Sequence, residues 1–421
     1  MATTNTPRLR RILCVTSNFP RWSGDSTTPF VLHLAQDLQA LGWEVDILAP
    51  HAPGCAVTET MEGVRVERFR YLWPETQQTV CYQGGALINL RKHRGNLLKL
   101  PLLVAAEWAA LMGRLFTRQY NLVHSHWILP QGFTGVLAAR SRRIPHVITV
   151  HGGDVFALRS PLMMRFKRFS LHHADRITVN SSVTEAAVRE LDPGGTPIQR
   201  VPMGVSSNVV ARDIAPVAEI RARHRQGEGP LLVFVGRVVE EKGVRDLIDG
   251  VGLLRAAFPE VRALVVGEGQ DRPELEAYAA SSGLGAHVHF SGWVQPDEVR
   301  HYMAAADVFV GPSRRAANGW VEAQGLTLLE AMVAGVPVIG TRLGGVVDSV
   351  ADGVTGLLVD EGAPQQIAAA VKRLATDPQF AARLVKTARA NVLGRFSREA
   401  SAQAFSELFM ALSGQGEKYP T

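Results

Sequence analysis

The chain has 421 residues, of which 46% are hydrophobic and 20% are charged. These values predict a soluble globular protein large enough for two domains. Its net charge of +6 is uneven, since residues 1–205 carry 23 Lys and Arg against 14 Asp and Glu, whereas the remainder carries 22 against 25. An anionic membrane face or a phosphorylated acceptor fits the basic half. Nucleic acid does not, because the sequence has no zinc-ligand spacing, RNP-like run or basic helical stripe.

The cysteines and the N-terminus predict a cytoplasmic protein. Cys14, Cys55 and Cys81 are odd in number and form no C-x-x-C pair, so we expect reduced thiols. The first residues, MATTNTPRLRR, are basic but lack the apolar region of a secretory signal.

Short apolar runs rich in β-branched residues recur along the first half, as buried parallel strands do. They occupy residues 11–17, 44–50, 122–127, 146–152 and 176–181. Longer stretches with a period of 3.6 residues separate them, for example residues 30–41 and 133–142. The first half is therefore predicted to alternate strands and helices around a parallel sheet.

One predicted helix, within residues 96–120, has a wide apolar face. Its charged side chains, which fall within about a third of the helical circumference, are Lys99, Glu107, Arg114 and Arg118. These charges and Pro101 argue against a membrane-spanning helix. A helix packed on the sheet and a helix lying in a membrane interface both remain open. Membrane contact is favoured by the nearby basic and aromatic side chains Arg91, Lys92, Arg94 and Trp108.

The alternation restarts near residue 231, with helices predicted from Val244, Pro273 and Pro296. Residues 201–216 form the candidate linker. The sequence thus predicts an α/β protein with two Rossmann-like, doubly wound parallel-sheet domains, 1–205 and 206–395. Ligands of such sheets bind outside the carboxyl ends of the strands, so domains facing across a cleft would bind them there.

The loop after the first strand of the second domain is predicted to bind an anion. Gly236 and Arg237 follow the strand, Lys242 comes five residues after Arg237, and a helix begins next. Two cations before a helix N-terminus suit a diphosphate. If only one of them is considered, Arg237 or Lys242 could be an ordinary solvent-exposed charge in a loop. The glycine-rich loops at 267–269 and 344–345 favour the anion site.

Two glutamates, Glu322 and Glu330, lie on either side of a predicted helix start. Thr327 and Glu330 have the spacing of a capping box, so Glu330 could simply cap its own helix. Glu322 has no such local role. A carboxylate accepts two hydrogen bonds from neighbouring hydroxyls, so the pair could hold two sugar rings on either side of a diphosphate. The backbone N–H groups of Gly325 and Leu326 could add to phosphate binding.

Several motifs resemble the retaining GT-B glycosyltransferases of family 4, over nearly the whole chain. In the second domain they are GRVVEEKG (236–243), EAQGLTLLEAMVAGVPVIGT (322–341) and LGGVVDSVADGVTGLLV (343–359). In the first they are FPRWSGDSTTPFVLHLAQDLQALGWEVDILAP (19–50), HSHWILPQG (124–132) and HGGDVF (151–156), similar to members that build bacterial exopolysaccharide and related glycans. The resemblance implies that the first domain takes the acceptor, that the second binds a nucleotide sugar, and that a final helix, 396–416, crosses back onto the first.

The resemblance also implies roles for the second-domain residues. Arg237 and Lys242 would bind the donor diphosphate, Glu322 the hydroxyls of the transferred sugar, and Glu330 the ribose. Recognition of the base would occur near Val294, largely through backbone groups.

In the first domain the resemblance puts His151 near the donor sugar, Asp154 on the acceptor side and Gly24 near the phosphates. The Gly24 loop departs from the family pattern, because it has Ser23 and Asp25 where a Gly-Gly pair is common. The residues given catalytic roles are His151, Arg237, Lys242 and Glu322.

The chain contains no D-x-D triplet, so no metal or other cofactor is expected, and cations and helix N-termini would stabilise the leaving diphosphate. The predicted reaction is transfer of a hexose from a UDP- or GDP-sugar to a glycan or polyprenyl-linked saccharide, with retention implied by the family. A noncatalytic nucleotide-sugar or glycan-binding protein of the same fold is the alternative. A Rossmann dehydrogenase is disfavoured, because no G-x-G-x-x-G follows the first strand.

Overall fold

The computed structural model describes residues 10–25, 27–82, 85–86, 89–90, 93–209, 211–317 and 319–415. The chain divides into two compact units. The first ends at Gly204 and resumes at Ser401, and the second is Val205–Ala400.

Within the described residues, the first unit is built on an eight-stranded sheet. Its strands are β1 (Arg11–Val15), β2 (Glu44–Pro50), β3 (Thr58–Met61), β4 (Val64–Phe69), β5 (Leu122–His126), β6 (His146–Val150), β7 (Arg176–Val179) and β8 (Ile198–Arg200). They lie in the order β3-β4-β2-β1-β5-β6-β7-β8. All neighbours are parallel except β3 and β4, which form an antiparallel hairpin at the edge.

Helices connect these strands and cover the sheet. They are α1 (Pro29–Ala40), α2 (Leu100–Thr117), α3 (Phe133–Arg142), α4 (Gly153–Phe156), α5 (Pro161–His173) and α6 (Ser182–Glu190), with single turns at Glu75–Gln77, Arg94–Lys99 and Ile128–Gly132. The strand RILCV is buried along nearly its whole length, since helices pack on both faces of a parallel sheet.

The second unit contains, among the described residues, a six-stranded sheet whose neighbours are all parallel. Its strands are β9 (Leu231–Val235), β10 (Arg262–Val266), β11 (Val288–Gly292), β12 (Val308–Gly311), β13 (Val338–Thr341) and β14 (Leu357–Val359), in the order β11-β10-β9-β12-β13-β14. Its helices are α7 (Ala215–His224), α8 (Val244–Leu254), α9 (Arg272–Ser281), α10 (Pro296–Ala305), α11 (Leu326–Val333), α12 (Val346–Ser349), α13 (Pro364–Thr376) and α14 (Pro378–Arg395).

The last helix, α15 (Arg398–Gln415), belongs from Ser401 onward to the first unit. There Trp43 Nε1 donates to Ser406 Oγ at 2.9 Å, and Phe409 packs edge-on against the Trp43 ring. Residue 416, the last of the helix predicted from sequence, lies outside the described residues.

The predicted fold class is confirmed. Both units are doubly wound around sheets that are parallel apart from the β3–β4 hairpin, and the helices predicted from Val244 and Pro296 begin at those residues. The helix predicted from Pro273 begins one residue earlier, at Arg272.

The α2 segment is integrated into the first unit. Among the described residues, 94–117 is the one helix that is long and apolar enough to cross a membrane by length and composition, a test that core helices also pass. Glu107 lies at its centre and is buried, and it accepts hydrogen bonds from Gln131 (2.9 Å) and Thr134 (2.5 Å). These bonds attach α2 to the neighbouring helix α3.

Candidate functional site

Four loops of the second unit meet at the carboxyl edge of its sheet, because each follows a parallel strand. Their first residues are Gly236, Gly267, Pro312 and Arg342. Glycines allow the loop backbones to touch. A Cβ on Gly243 would lie 1.8 Å from the carbonyl oxygen of Pro312, and one on Gly344 would lie 2.3 Å from that of Glu322. Side chains larger than glycine would therefore force these loops apart.

Lys242 and Glu322 are in direct contact at this edge. Lys242 Nζ donates to Glu322 Oε2, and the two side chains are only 19% and 17% exposed. The other carboxylate oxygen accepts from the Gly325 N–H at 3.3 Å. Burial raises the pKa of Glu322, but the charge and hydrogen bond of Lys242 outweigh it and leave that pKa below its ordinary value. Glu322 is therefore ionised at neutral pH.

Arg237 lies at the start of the same loop and is more accessible. Its side chain is 54% exposed, and its guanidinium is 3.8 Å from the carboxylate of Glu241. A long, exposed pair of this kind contributes little. The preceding residue, Gly236, donates its N–H to Val266 O at 3.0 Å, which fixes the loop to the neighbouring strand.

The capping box predicted for Glu330 is wrong. Helix α11 begins at Leu326 with Gly325 as its N-cap, and no side chain caps it. Gly325 has φ +75° and ψ 51°, a left-handed conformation that glycine adopts without steric cost. The helix therefore starts before Thr327 can act as its cap, and Glu330 is the fifth helical residue instead of the third.

Glu330 is thus free of the local role that competed with ligand binding. Burial raises its pKa to about 7, so its charge is sensitive to the neutral pH range. Leu326, the first helical residue, puts its N–H at the helix N-terminus, where backbone donors favour anions. Gly335, with φ +77°, follows the C-cap residue Ala334 where the helix ends.

Val294 lies in the loop after β11. It is half-buried and packs against the core of the second unit, while the neighbouring Trp293 is exposed. A backbone contact to a nucleotide base is compatible with this position.

His151 lies in the first unit, directly after β6, within a cluster of rings. Its Nε2 is 2.9 Å from Nδ1 of His126, and the two imidazoles stack at an interplanar angle of 11°. The rings of Phe30 and Trp127 each lie 5.0 Å from it. Burial lowers the pKa of His151 to about 3. The imidazole is therefore neutral at physiological pH and acts as a hydrogen-bonding group, not as a cation.

Asp154 lies on the short helix α4 and braces the loop after β5. Its Oδ2 accepts from the Ile128 N–H at 2.9 Å, while Oδ1 is buried without a hydrogen-bond partner among the described residues. Burial raises the pKa of Asp154. Lys167 Nζ binds the carbonyls of Val155 and Ala157 at the end of the same helix.

The loop that contains Gly24 is held by ion pairs. Asp25 accepts hydrogen bonds from the Arg21 backbone N–H (2.9 Å) and Nε (2.8 Å), so the acidic residue that departs from the family pattern is neutralised locally. The buried guanidinium of Arg68 donates to the carbonyls of Pro20 and Arg21. Gly24 itself has φ +82° and open space where a Cβ would lie.

One group of three side chains among the described residues could hold a metal ion. The ligand atoms of Cys14, His124 and His126 lie within 4.8 Å of one another, and all three residues are buried. His124 Nε2 is also hydrogen bonded to Thr149 Oγ1 at 2.6 Å, and burial raises the pKa of the Cys14 thiol. These are soft ligands, unlike the oxygen ligands that a diphosphate-bound Mg²⁺ prefers.

The predicted site residues therefore form two groups. Gly236, Arg237, Lys242, Glu322, Gly325, Leu326 and Glu330 follow strands of the second unit, with Lys242, Glu322 and Gly325 in direct contact. His151, Asp154 and Gly24 belong to the first unit. Sequence reasoning missed His126 as the partner of His151, and Trp320, whose ring centroid is 5.3 Å from Lys242 Nζ. The HSHW motif at the end of a strand was the available signal for His126.

Family models match both units. Residues 27–204 match the family model described as "Glycosyl transferase 4-like domain", and residues 217–391 match the one described as "Glycosyl transferases group 1". A GDP-mannose-dependent alpha-(1-6)-phosphatidylinositol monomannoside mannosyltransferase of Mycolicibacterium smegmatis is 32% identical over 68% of this chain and 75% of its own length. The chain belongs to the family 4 glycosyltransferases. The membership of family 4 that the sequence motifs predicted is confirmed.

Two further similarities extend over nearly the whole chain. A D-inositol 3-phosphate glycosyltransferase of Corynebacterium urealyticum is 29% identical over 93% of this chain and 92% of its own length. The solved structure of sucrose-phosphate synthase from Thermosynechococcus elongatus has a TM-score of 0.74 at 25% identity, covering 96% of this chain and 100% of its own. The GT-B fold class is confirmed, and this family 4 glycosyltransferase uses a nucleotide-sugar donor.

Proposed function

We propose that this glycosyltransferase moves a hexose from a UDP- or GDP-sugar to a hydroxyl of a glycan or polyprenyl-linked saccharide, with retention and without a metal ion. The observation that carries the proposal is the buried pair of Lys242 and Glu322 among glycine-rich loops at one sheet edge. A cation and a carboxylate held side by side suit a ligand that joins a diphosphate to a polyhydroxylated sugar.

Lys242 and Arg237 bind the donor diphosphate in this account, and the N-terminus of α11 adds backbone donors at Gly325 and Leu326. As the bond between the anomeric carbon and the phosphate oxygen breaks, negative charge develops on the leaving diphosphate. Fixed cations and N–H groups stabilise that charge without reorganising. This arrangement supplies the stabilisation that a metal ion gives in other transferases.

Retention is proposed to proceed on one face of the sugar. The acceptor oxygen bonds to the anomeric carbon from the side on which the diphosphate departs, and the acceptor proton passes to the departing phosphate oxygen. His151 does not serve as the nucleophile, because its ring is buried, stacked on His126 and hydrogen bonded to it. Its role is to orient the donor sugar, with Asp154 on the acceptor side.

The name of the Mycolicibacterium relative supports a GDP-hexose donor and an acceptor saccharide that is linked to a lipid, since that protein depends on GDP-mannose and acts on a phosphatidylinositol monomannoside. A saccharide linked to lipid requires the enzyme to work at a bilayer. We therefore propose that the protein is cytoplasmic and acts at the inner face of the membrane, in exopolysaccharide or related glycan assembly.

Helix α2 supports this location because it is apolar on both faces: Leu103, Leu111 and Leu115 are buried in the first unit, while other large apolar side chains of the segment are exposed. Its two charged residues point toward the protein: Glu107 is buried, and Arg114 pairs with Glu67. The flanking Arg118 likewise pairs with Asp46. Large apolar side chains of the segment face solvent instead, namely Leu97, Leu98, Leu102, Trp108 and Phe116.

Exposure of so many large apolar side chains on one segment marks an interaction surface. Leu98 is 82% exposed and Phe116 is 65% exposed. Basic residues lie beside them. The guanidinium of Arg142, at the C-terminus of α3, is 4.6 Å from the Phe116 ring centroid. Arg140 and Arg143 are exposed at the same end of α3. Apolar side chains bordered by arginines fit an anionic bilayer. Arg91 and Lys92, which also favoured membrane contact, lie outside the described residues.

The donor can be identified by thermal unfolding of the purified chain with UDP- and GDP-sugars. A ligand at a hundred times its Kd adds about 2.7 kcal/mol to stability, so the correct nucleotide raises the Tm clearly and the other does not. Release of nucleoside diphosphate from the stabilising sugar nucleotide then separates a transferase from the alternative, a noncatalytic binder. A Tm unchanged by every UDP- and GDP-sugar would contradict the proposal.

A further inference from the structure

The second unit contains a basic cavity at the edge of its sheet opposite to the Lys242 and Glu322 loops. The cavity has a volume of about 400 Å³ and lies where β10 and β11 begin, beside the C-terminus of α7. Parallel strands start at this edge and end at the other, so the cavity is separate from the proposed donor site. Its volume is within the range of small-molecule sites.

The side chains around the cavity are strongly cationic. Six of its lining residues are basic or imidazole side chains, Arg223, His224, Arg225, Arg262, His287 and His289, and none of the described lining residues is acidic. Arg225 is paired outside the cavity, with its Nε 3.3 Å from Asp307. Within the described residues, no carboxylate lies within ion-pair distance of Arg223 or Arg262.

Arg262 is the residue that most clearly lacks a partner. It lies at the first position of β10, and its Nη1 is buried without a hydrogen bond to any described residue. A buried N–H of a charged group left without an acceptor is costly. An anion in the cavity would remove that cost.

Three imidazoles lie beside these arginines. The rings of His224 and His289 are 4.8 Å apart. Burial, followed by electrostatic interaction with His289 and Arg223, lowers the pKa of His224 to about 4. His287 Nδ1 donates to the carbonyl of Val261 at 2.9 Å, which fixes the orientation of that ring.

We propose that this cavity binds a small phosphate-bearing molecule, with Arg262 and Arg223 as its principal donors. Guanidinium groups match phosphate oxygens through paired, charge-assisted hydrogen bonds. The site is independent of the proposed sugar transfer, because it shares no residue with the loops assigned to the donor.

Inorganic pyrophosphate is a suitable probe, titrated calorimetrically into the full chain with excess UDP or GDP present to occupy the donor site. We expect binding that weakens at least tenfold in the double variant Arg223→Gln/Arg262→Gln and several-fold in Arg223→Gln alone. The single variant changes an exposed residue and therefore guards against loss of folding. Arg300→Gln, which removes an equal charge from exposed helix α10, should leave the affinity unchanged.

Repeating the titration with inorganic phosphate and with citrate identifies the preferred chemistry. Pyrophosphate binding that exceeds citrate binding and depends on Arg223 and Arg262 supports the proposal. Pyrophosphate affinity that is equal in the wild type and the double variant, or equally weakened by Arg300→Gln, would overturn it. If neither UDP nor GDP binds while the arginine-dependent pyrophosphate site persists, the proposed function fails and this site stands.

Discussion

Lys242 and Glu322, 80 residues apart in the chain, form a largely buried ion pair at the carboxyl edge of the second sheet. In the proposed donor site one binds the diphosphate and the other the sugar. In that proposal, Glu322 pairs with Lys242 until a donor binds. The donor phosphate would then compete with Glu322 for the ammonium group, and the sugar hydroxyls would bind the released carboxylate.

Glu322→Gln is expected to separate affinity from turnover. Glutamine keeps the shape but removes the charge that holds Lys242, so nucleoside diphosphate should bind at least as tightly as to the wild type. Calorimetric titration of UDP or GDP measures this directly. Glu322→Gln binding that is tenfold weaker would show that the carboxylate supports the diphosphate site instead of competing with it.

Glu330→Gln should change the pH dependence of stability. Because burial raises the pKa of Glu330 from 4.5 to about 7, the folded protein keeps a proton that the unfolded chain loses. Wild-type stability is then expected to decline as pH rises from about 4.5 to 7, by at most about 3 kcal/mol from this group. Glu330→Gln should therefore be more stable than the wild type at pH 8, with little difference at pH 4. Equal pH profiles of the Tm would contradict this.

The same variant tests the ribose assignment. Two charge-assisted hydrogen bonds from ribose hydroxyls require the ionised carboxylate, so nucleotide affinity of the wild type should increase between pH 6 and 8. Glu330→Gln should bind about 1.5–3 kcal/mol more weakly at pH 8. If plain nucleoside diphosphate binds both proteins equally, Glu330 does not hold the ribose.

Gly243→Ala is expected to displace the loop that contains Lys242. The added Cβ would meet the Pro312 carbonyl at 1.8 Å, and φ is +66°, so both the contact and the backbone conformation oppose the substitution. We expect a loss of stability above about 1 kcal/mol together with weaker nucleotide binding. Gly394→Ala on helix α14 is the matched control, since the added Cβ would meet nothing within 4 Å. Similar melting temperatures for the two variants would argue against a crowded loop.

Membrane contact through α2 predicts co-sedimentation with phosphatidylglycerol-containing vesicles at low salt, and release as salt screens the charges. Leu98→Ser/Phe116→Ser should reduce the bound fraction at least tenfold, because each buried apolar side chain contributes about 1.5–3 kcal/mol. Leu253→Ser removes a half-exposed leucine from the second unit and should have no effect. Wild-type protein recovered equally in the supernatant with and without these vesicles would favour a helix that is merely packed on the sheet.

The strands and most helix starts could be predicted because buried parallel strands leave continuous apolar runs such as RILCV and LLVFV. The hairpin of β3 and β4 was missed, since its edge strand TETM is polar and mostly exposed. The helix start at Gly325 depends on a left-handed backbone conformation that the capping-box spacing does not report.

Other relationships are not encoded in local spacing. Periodicity gave the width of the apolar face of α2 but not its direction, because a 3.6-residue period is the same whichever face points inward. The ion pairs from Arg114 to Glu67 and from Arg118 to Asp46 decide that direction. Loops that follow parallel strands meet at the carboxyl edge of the sheet, which predicts that Lys242 and Glu322 lie near one another. Their direct contact is seen only in the structure.

Cleavage of the stabilising nucleotide sugar, followed as release of nucleoside diphosphate in the presence of EDTA, tests the central claim most directly. The account predicts turnover by the wild type that EDTA leaves intact and that Glu322→Gln slows by about 10²-fold or more, although the variant still binds the nucleotide. Nucleotide sugar that binds but stays intact with membrane-derived acceptors would identify a noncatalytic binder. Loss of turnover in EDTA that Mn²⁺ restores would show that a metal ion, not Arg237 and Lys242, stabilises the leaving group.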